Sequence, residues 1–485
     1  MAKVVILGAG ISGHTAARYL EKWLGKSHEI TVVSPNAFWN WIPSNVWVGV
    51  GQMKEADVCF DLNEIYRKTR VDFRQAKALS IHPEGAEGHS SPFVRVEMTK
   101  PGQEGAVEDI AYDYLINATG PKLNFGATPG LGPEHGHTVS VCTAQHAVEA
   151  NHKLQEVIDA LKRGEERTIV VGTGHGTCTC QGAAFEYIYN VDHILRESGV
   201  RNRARMVWIS NEYELGDFGM GGISIRRGGY TTSGKVFSES LMVERDIEWI
   251  VRAAVNKVEA GTLHYESLDG SQHELGFDFA MLIPPFSGVG LKAFDRAGED
   301  ITAKVFAPNG FMKVDADYGA KPFEQWSARD WPKTYQSPLY PQMFAIGIAF
   351  APPHLISKPM QSPNGTPINP APPRTGMPSA TMAKAVAKSI RDMIQGAPAP
   401  THEASMAAMG AACVASTGNH WFRGSAVTMT VYPVVPDYER FPDYGRDPDL
   451  TFGEIGLAGH WMKALLHHTF IYQSKMLPGW SLLPD

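Results

Sequence analysis

The chain has 485 residues, 44 Lys+Arg against 51 Asp+Glu, and a net charge of −7; its 43% hydrophobic and 20% charged residues exclude a largely disordered protein. The length predicts about three domains, the acidic balance leaves no basic face for a nucleic-acid partner, and five cysteines are too few for a disulfide framework. No apolar run of about 18 residues and no secretory-signal pattern occur, so a protein without a spanning helix, kept inside the cell, is expected.

Lys3-Val4-Val5-Ile6-Leu7 is a short apolar, β-branched run suited to a buried parallel strand. Gly8-Ala9-Gly10-Ile11-Ser12-Gly13 follows at once, and Ala16, Ala17, Leu20 and Leu24 then recur at helical spacing. This is G-x-G-x-x-G between a strand and a helix. Gly8 permits the tight turn, Gly10 lets the backbone approach a pyrophosphate, and Gly13 lets helix and strand pack closely. The helix N-terminus adds amide donors and a positive dipole end. The next strand, Ile30-Thr31-Val32-Val33, runs into Ser34, where an acid usually meets the ribose. A second signature is Tyr114-Leu115-Ile116-Asn117-Ala118-Thr119-Gly120. An apolar strand ending in Ala-Thr-Gly is typical of flavoproteins with two dinucleotide domains, where it passes close to FAD.

Thr168-Ile169-Val170-Val171 and Gly172-Thr173-Gly174-His175-Gly176-Thr177 predict a second such turn. Thr177 takes the third glycine position, and the next strand ends in Ser210 and Asn211 rather than an acid. Glu212 keeps NAD(P)H binding open, but a retained fold whose turn carries thiol chemistry is the favoured reading. Cys178-Thr179-Cys180 opens the following helix, whose N-terminus is expected to lower a thiol's pKa. Cys142 has His146 one helical turn on. Cys59 and Cys413 read as small buried hydrophobes.

Nine prolines from Pro352 to Pro378 predict stiff irregular backbone, followed by a helix from Ala380 to about Met393 with Ser379 as N-cap. Its N-terminal dipole suits the flavin pyrimidine edge. After Pro398-Ala399-Pro400 a separate unit begins. Trp421 through Pro433 alternates enough for strands. From Glu454 onward, Ile455, Leu457, Trp461, Met462, Leu465, Leu466, Phe470, Ile471 and Tyr472, with Lys463, His467, His468 and Lys475 between, predict an amphipathic helix suited to a bilayer interface. The two adjacent histidines read as solvent or interface residues.

Four stretches together resemble the sulfide:quinone oxidoreductases and their flavocytochrome relatives, within the two-dinucleotide-domain disulfide-oxidoreductase superfamily. They are Phe38 to Gly51 with its Pro43-Ser44-Asn45; Ala118 to Leu123 with Ser140-Val141-Cys142; Cys180 to Tyr187; and Phe344-Ala345-Ile346-Gly347 with Arg374-Thr375-Gly376-Met377. The resemblance implies an α/β fold with two Rossmann-like domains. An FAD domain is split between 1–150 and 296–397, the redox-cysteine domain is 151–295, and a membrane-association region is 398–485. It implies FAD-dependent oxidation of sulfide or a related sulfur species through a cysteine persulfide, with electrons passed to a membrane quinone. A membrane surface is then a partner, and a homo-oligomer is compatible.

By the same resemblance Cys180 is one of two cysteines carrying sulfur between sulfide and flavin. Cys142 is the additional family cysteine, Glu186 the helix carboxylate that acts as a base, and His146 a family histidine. Asn45, Gly347 and Gly376 fall in flavin-proximal segments. The family's second redox cysteine is missing: Ile348 and Ala349 stand there, leaving Cys178 or Cys142 as the partner of Cys180. Asp217 stands where a family histidine is expected. Two other readings stay open: an NAD(P)H:quinone reductase, and a flavin or sulfur-carrier subunit without independent turnover.

Overall fold

In the computed structural model, which describes residues 1–483 except 228, 419–421 and 423, one mixed and one parallel sheet each hold a parallel strand that runs into a glycine turn. In the first, β1 (Lys3–Leu7) leads into helix α1 (Ile11–Leu24) and pairs in parallel with β2 (Glu29–Ser34). β2 pairs in parallel with β3 (Asp72–His82), which continues antiparallel into β4 (Phe93–Met98) and β5 (Val107–Ala111). On the other side of β1 lies β6 (Tyr114–Asn117), again parallel. Both faces of the sheet are covered at β1, which is why that strand reads as an unbroken apolar run rather than an alternating one.

Helix α2 (Ala144–Lys162) crosses to the second sheet. There β7 (Arg167–Thr173) precedes helix α3 (Gln181–Glu197) and lies between β8 (Ala204–Ile209) and, after β9 (Ile247–Ile250), β10 (Phe279–Ile283). The order is β9-β8-β7-β10, all parallel. The chain then returns: β11 (Met343–Ala345) pairs with β6, and α4 (Gly376–Ile394) packs along α1. The first dinucleotide unit is thus assembled from two separated stretches.

The last unit is an antiparallel sheet of β12 (Ala411–Thr417), β13 (Ser425–Val431) and β14 (Phe452–Gly456), covered by α5 (Leu457–Ser474). β12 lies along α3, so this unit is tied to the helix that begins at the cysteines.

Several expectations need correction. Helix α4 starts at Gly376 with Thr375 as N-cap, four residues before the expected Ala380. Pro378 does not delay it, because the amides of a first turn have no intrahelical partner to lose. Glu454 lies in a strand, paired with Thr428, so α5 begins only at Leu457. The second strand of the terminal sheet begins at Ser425, and Trp421 lies outside the described residues. Helix α5 leaves its apolar stripe outward, with Trp461 and Leu465 44% and 65% exposed, but its polar side is packed inward rather than wet: Lys463 and His467 are 7% and 3% exposed. His467 is therefore not a solvent histidine; its Nδ1 lies 2.8 Å from Ser44 Oγ. Among the described residues no helix is long and apolar enough to cross a membrane.

Candidate active site

The first glycine turn is built around the end of β6. Gly8 has φ +98°, and a Cβ there would lie 2.2 Å from the carbonyl oxygen of Ala118. A Cβ on Gly13 would meet the Gly8 carbonyl at 1.9 Å. These two glycines let strand, helix and the Ala118-Thr119-Gly120 backbone close on one another. Gly10 differs, since an added Cβ would find no atom within 4 Å. Its side of the turn is open, which is what a pyrophosphate needs.

Gly347 (φ +64°) leaves only 2.1 Å between an added Cβ and Ser12 Oγ, and Gly376 at the head of α4 leaves 3.4 Å to Ile11 Cδ1. The N-termini of α1 and α4 therefore converge, and neither carries a side-chain cap. Two uncapped helix N-termini beside an open glycine turn fit the pyrophosphate and pyrimidine ends of a flavin dinucleotide. Ser34 is buried at the end of β2. Asn45 is fully buried and trades side-chain hydrogen bonds with Asn40 at 2.9 and 3.0 Å. Its Nδ2 also donates to the Val141 carbonyl, next to Cys142, at 3.2 Å.

The second turn is filled by the protein itself. A Cβ on Gly174 would sit 2.5 Å from Leu131 Cδ1, and one on Gly176 would sit 2.1 Å from the Pro367 carbonyl oxygen. The amides of Asn369 and Ala371 donate to the carbonyls of Gly176 and Cys178 at 2.6 and 2.9 Å. The proline-rich strap thus lies directly on the turn. Glu212 points inward, accepting from Phe218 N and Ser210 Oγ at 2.7 Å each, and burial pushes its carboxyl up to about 8. Asp217, at the expected histidine position, is buried and accepts from Ser357 Oγ and, at 2.9 Å, from Gly219 N.

Behind this turn three thiols gather. Cys178 lies close enough to feel the charge of both Cys142 and Cys180, and Cys142 that of Cys180. Cys178 donates to the Ile283 carbonyl at 3.0 Å. Cys180 is the N-cap of α3 in the left-handed conformation, φ 67°. The expected lowering of its thiol pKa does not hold, because burial is the largest influence and pushes it up. Burial likewise pushes Cys142 up to about 12. What opposes burial at Cys180 is the Thr179 hydroxyl and the charge of Arg374.

Arg374 was visible in the sequence only as the first residue of a flavin segment. In the fold its Nη1 donates to the carbonyls of Ile348 and Phe350 at 2.6 and 2.7 Å, bracketing Ala349. A buried cation therefore stands beside Cys180 and at the position of the missing cysteine.

The other predicted residues separate. His146, at the start of α2, packs edge-on to Phe125 at 5.8 Å, and the charges it feels are Glu134 and Glu149. Glu186 lies on α3 beyond Cys180, buried, and is paired with Lys463 of α5 at 2.9 Å. No local signal could have joined residues 277 positions apart. Cys413, set aside as packing, faces that pair.

Fold and cradle define a flavoprotein of the pyridine nucleotide-disulphide oxidoreductase class, whose family model matches residues 2–208. A sulfide-quinone reductase of Aquifex aeolicus (strain VF5) is 30% identical over 98% of this chain and 92% of its own length. The chain belongs to the sulfide-quinone reductase family. The X-ray structure of the sulfide:quinone oxidoreductase from Aquifex aeolicus matches with a TM-score of 0.75 at 28% identity, covering 98% of this chain and 92% of that one. NDH2 from Plasmodium falciparum shares the fold alone, at 13% identity and a TM-score of 0.59 over 88% of this chain and 90% of that one.

Proposed function

We propose that the protein oxidises sulfide, or a related small sulfur species, and delivers the electrons to a membrane quinone. The observation that carries this reading is the cluster of Cys142, Cys178 and Cys180 with Arg374, the residue two before the head of α4. FAD held by the turn at Gly8, Gly10 and Gly13, by Ala118-Thr119-Gly120, and by Gly347 and Gly376 supplies a two-electron acceptor between sulfur and quinone. The sulfide sulfur forms an S–S bond to Cys180 Sγ. Forming that bond releases two electrons, which a bound flavin would accept, and two protons, one from each sulfur. A quinone that takes up two electrons and two protons leaves as quinol. Arg374 stabilises negative charge on Cys180 sulfur as it forms. Cys178 and Cys142, whose charges are coupled to that of Cys180, accept sulfur from it by exchange. With alanine at 349, this chemistry is confined to the α3 side.

The filled second turn opposes an NAD(P)H:quinone reductase, because Leu131 and Pro367 occupy the approaches that a pyrophosphate would use. The outward apolar face of α5, with Trp461, Met462 and Leu465 exposed, suits a peripheral seat on a lipid surface, where a quinone is reached. Under anaerobic conditions sulfide should bleach the visible flavin band of the holoenzyme and NADH should not. Cys180→Ser should slow that bleaching by about 100-fold or more. Bleaching by NADH and not by any sulfide, thiol or persulfide would overturn the reading.

A further inference from the structure

We infer that Lys463, carried on the C-terminal helix, is the positioning residue that holds Glu186, the helix carboxylate read from the sequence as a base, in the charged form that accepts a proton. The inference rests on the sulfur-oxidising reading for the use of that proton, but not for the ion pair itself. Glu186 is 5% exposed, on the helix that Cys180 caps. Its Oε1 accepts from Ser416 Oγ at 2.9 Å and from Ser416 N at 3.2 Å. Its Oε2 accepts from Lys463 Nζ at 2.9 Å. Asn190, one turn further along α3, holds the Ser416 carbonyl, which fixes the strand that supplies these donors.

A carboxyl this deep tends to be protonated, since burial disfavours its charged form. Burial does push Glu186 above its ordinary range, and the charge of Lys463 is the strongest influence in the other direction. The titratable groups facing it from the packed elements are Cys413 of β12 and Lys463 of α5. Cys413 Sγ lies 3.0 Å from where a Cβ on Gly182 would stand, in the first turn of α3. His467, one turn beyond Lys463, adds no charge at neutral pH, because burial lowers it to about 4.

Lys463 is itself fixed. Its Nζ donates to the Pro43 carbonyl at 3.0 Å and lies 5.6 Å from the Trp47 ring centroid. His467 bonds Ser44, and Phe470 stacks on Trp41 with centroids 4.4 Å apart. The buried face of α5 thus runs along residues 41–47 while its other face is apolar and exposed. This explains why the polar side of the helix is buried: its charge is needed inward.

The test uses the full-length holoenzyme and two readouts. The first is the infrared C=O stretch of a protonated carboxyl followed with pH, assigned to Glu186 by its loss in Glu186→Gln. The second is the pH profile of flavin bleaching by sulfide. Wild type should show no protonated Glu186 at neutral pH. Lys463→Met should show it, and should move the acid limb of bleaching to higher pH by about one to two units. Lys463→Arg should restore both. A protonated Glu186 in the wild type at neutral pH overturns the inference, even if Lys463→Met does not fold. So does Lys463→Met with an unchanged carboxyl band and pH profile but lowered thermal stability, which would mark a structural pair. If sulfide fails to bleach the wild type, the sulfur reading falls while the infrared test still decides the pair.

Discussion

At Gly10 the space in front of the first turn is open, with no atom within 4 Å of an added Cβ, while at Gly174 the side chain of Leu131 stands 2.5 Å from one. Both turns follow a buried parallel strand, and both use glycine at the position that admits a pyrophosphate. In the second turn the glycines serve the protein's own packing. Gly172 is held against the Ile209 carbonyl, Gly174 against Leu131 and Gly176 against Pro367. A glycine fingerprint therefore reports close backbone approach, and residues far away in sequence decide whether a ligand or the chain itself makes that approach.

The largest effect expected from this difference lies at Gly10. Its φ of −74° lies outside the left-handed region and an added Cβ meets no atom within 4 Å, so Gly10→Val does not drive its Cβ into the protein. It does fill the space for a pyrophosphate. The variant should fold with an unchanged far-ultraviolet spectrum and purify almost free of flavin, as read from visible absorbance against protein concentration. Full flavin content would mean that the open space at Gly10 is not where the cofactor's pyrophosphate lies.

Much of this was legible from residues adjacent in sequence. The strand–glycine–helix order, Ala118-Thr119-Gly120, and the cysteines at the head of α3 are local patterns, and local sterics enforce them. Leu131 and Pro367 carried no such signal, because each acts on a turn more than forty residues away. Arg374 beside Cys180 and Lys463 on Glu186 were hidden for the same reason. The burial of the polar side of α5 was hidden differently. Periodicity locates the apolar stripe, read as suited to a bilayer interface, but not that the opposite, charged side packs against the body. Here the inner face has to meet Glu186, Ser44 and the Pro43 carbonyl, so Lys463 and His467 point there instead.

The matching change in the second turn should leave flavin in place. Gly174→Ala puts a methyl 2.5 Å from Leu131 Cδ1 inside a packed loop, so a loss of about 1–3 kcal/mol in unfolding free energy is expected. Adding Leu131→Ala removes the clash, so the double variant should lose less than the sum of the single changes. Denaturant titration of the three variants, with flavin content measured on each, checks this. Loss of flavin from Gly174→Ala would show that the second turn contributes to the cofactor after all.

The smallest effect concerns Glu212, the acid that follows β8. In a turn that binds a nicotinamide cofactor, an acid in this region reaches outward to a ribose. Here it is fully buried on Ser210 and Phe218, and burial raises its carboxyl from 4.5 to about 8. A group whose folded pKa lies above its unfolded value contributes stability that is complete below the unfolded pKa and is lost as pH rises through the folded one. Wild-type stability should therefore decline from about pH 5 to above pH 8. Glu212→Gln keeps the shape without the charge and should flatten that decline, becoming the more stable form above pH 8. Unfolding midpoints of both proteins at pH 6 and pH 9 measure it. Parallel behaviour at both pH values would mean that Glu212 is ionised in the folded protein, which would return to the second turn the negative charge that a ribose-binding site requires.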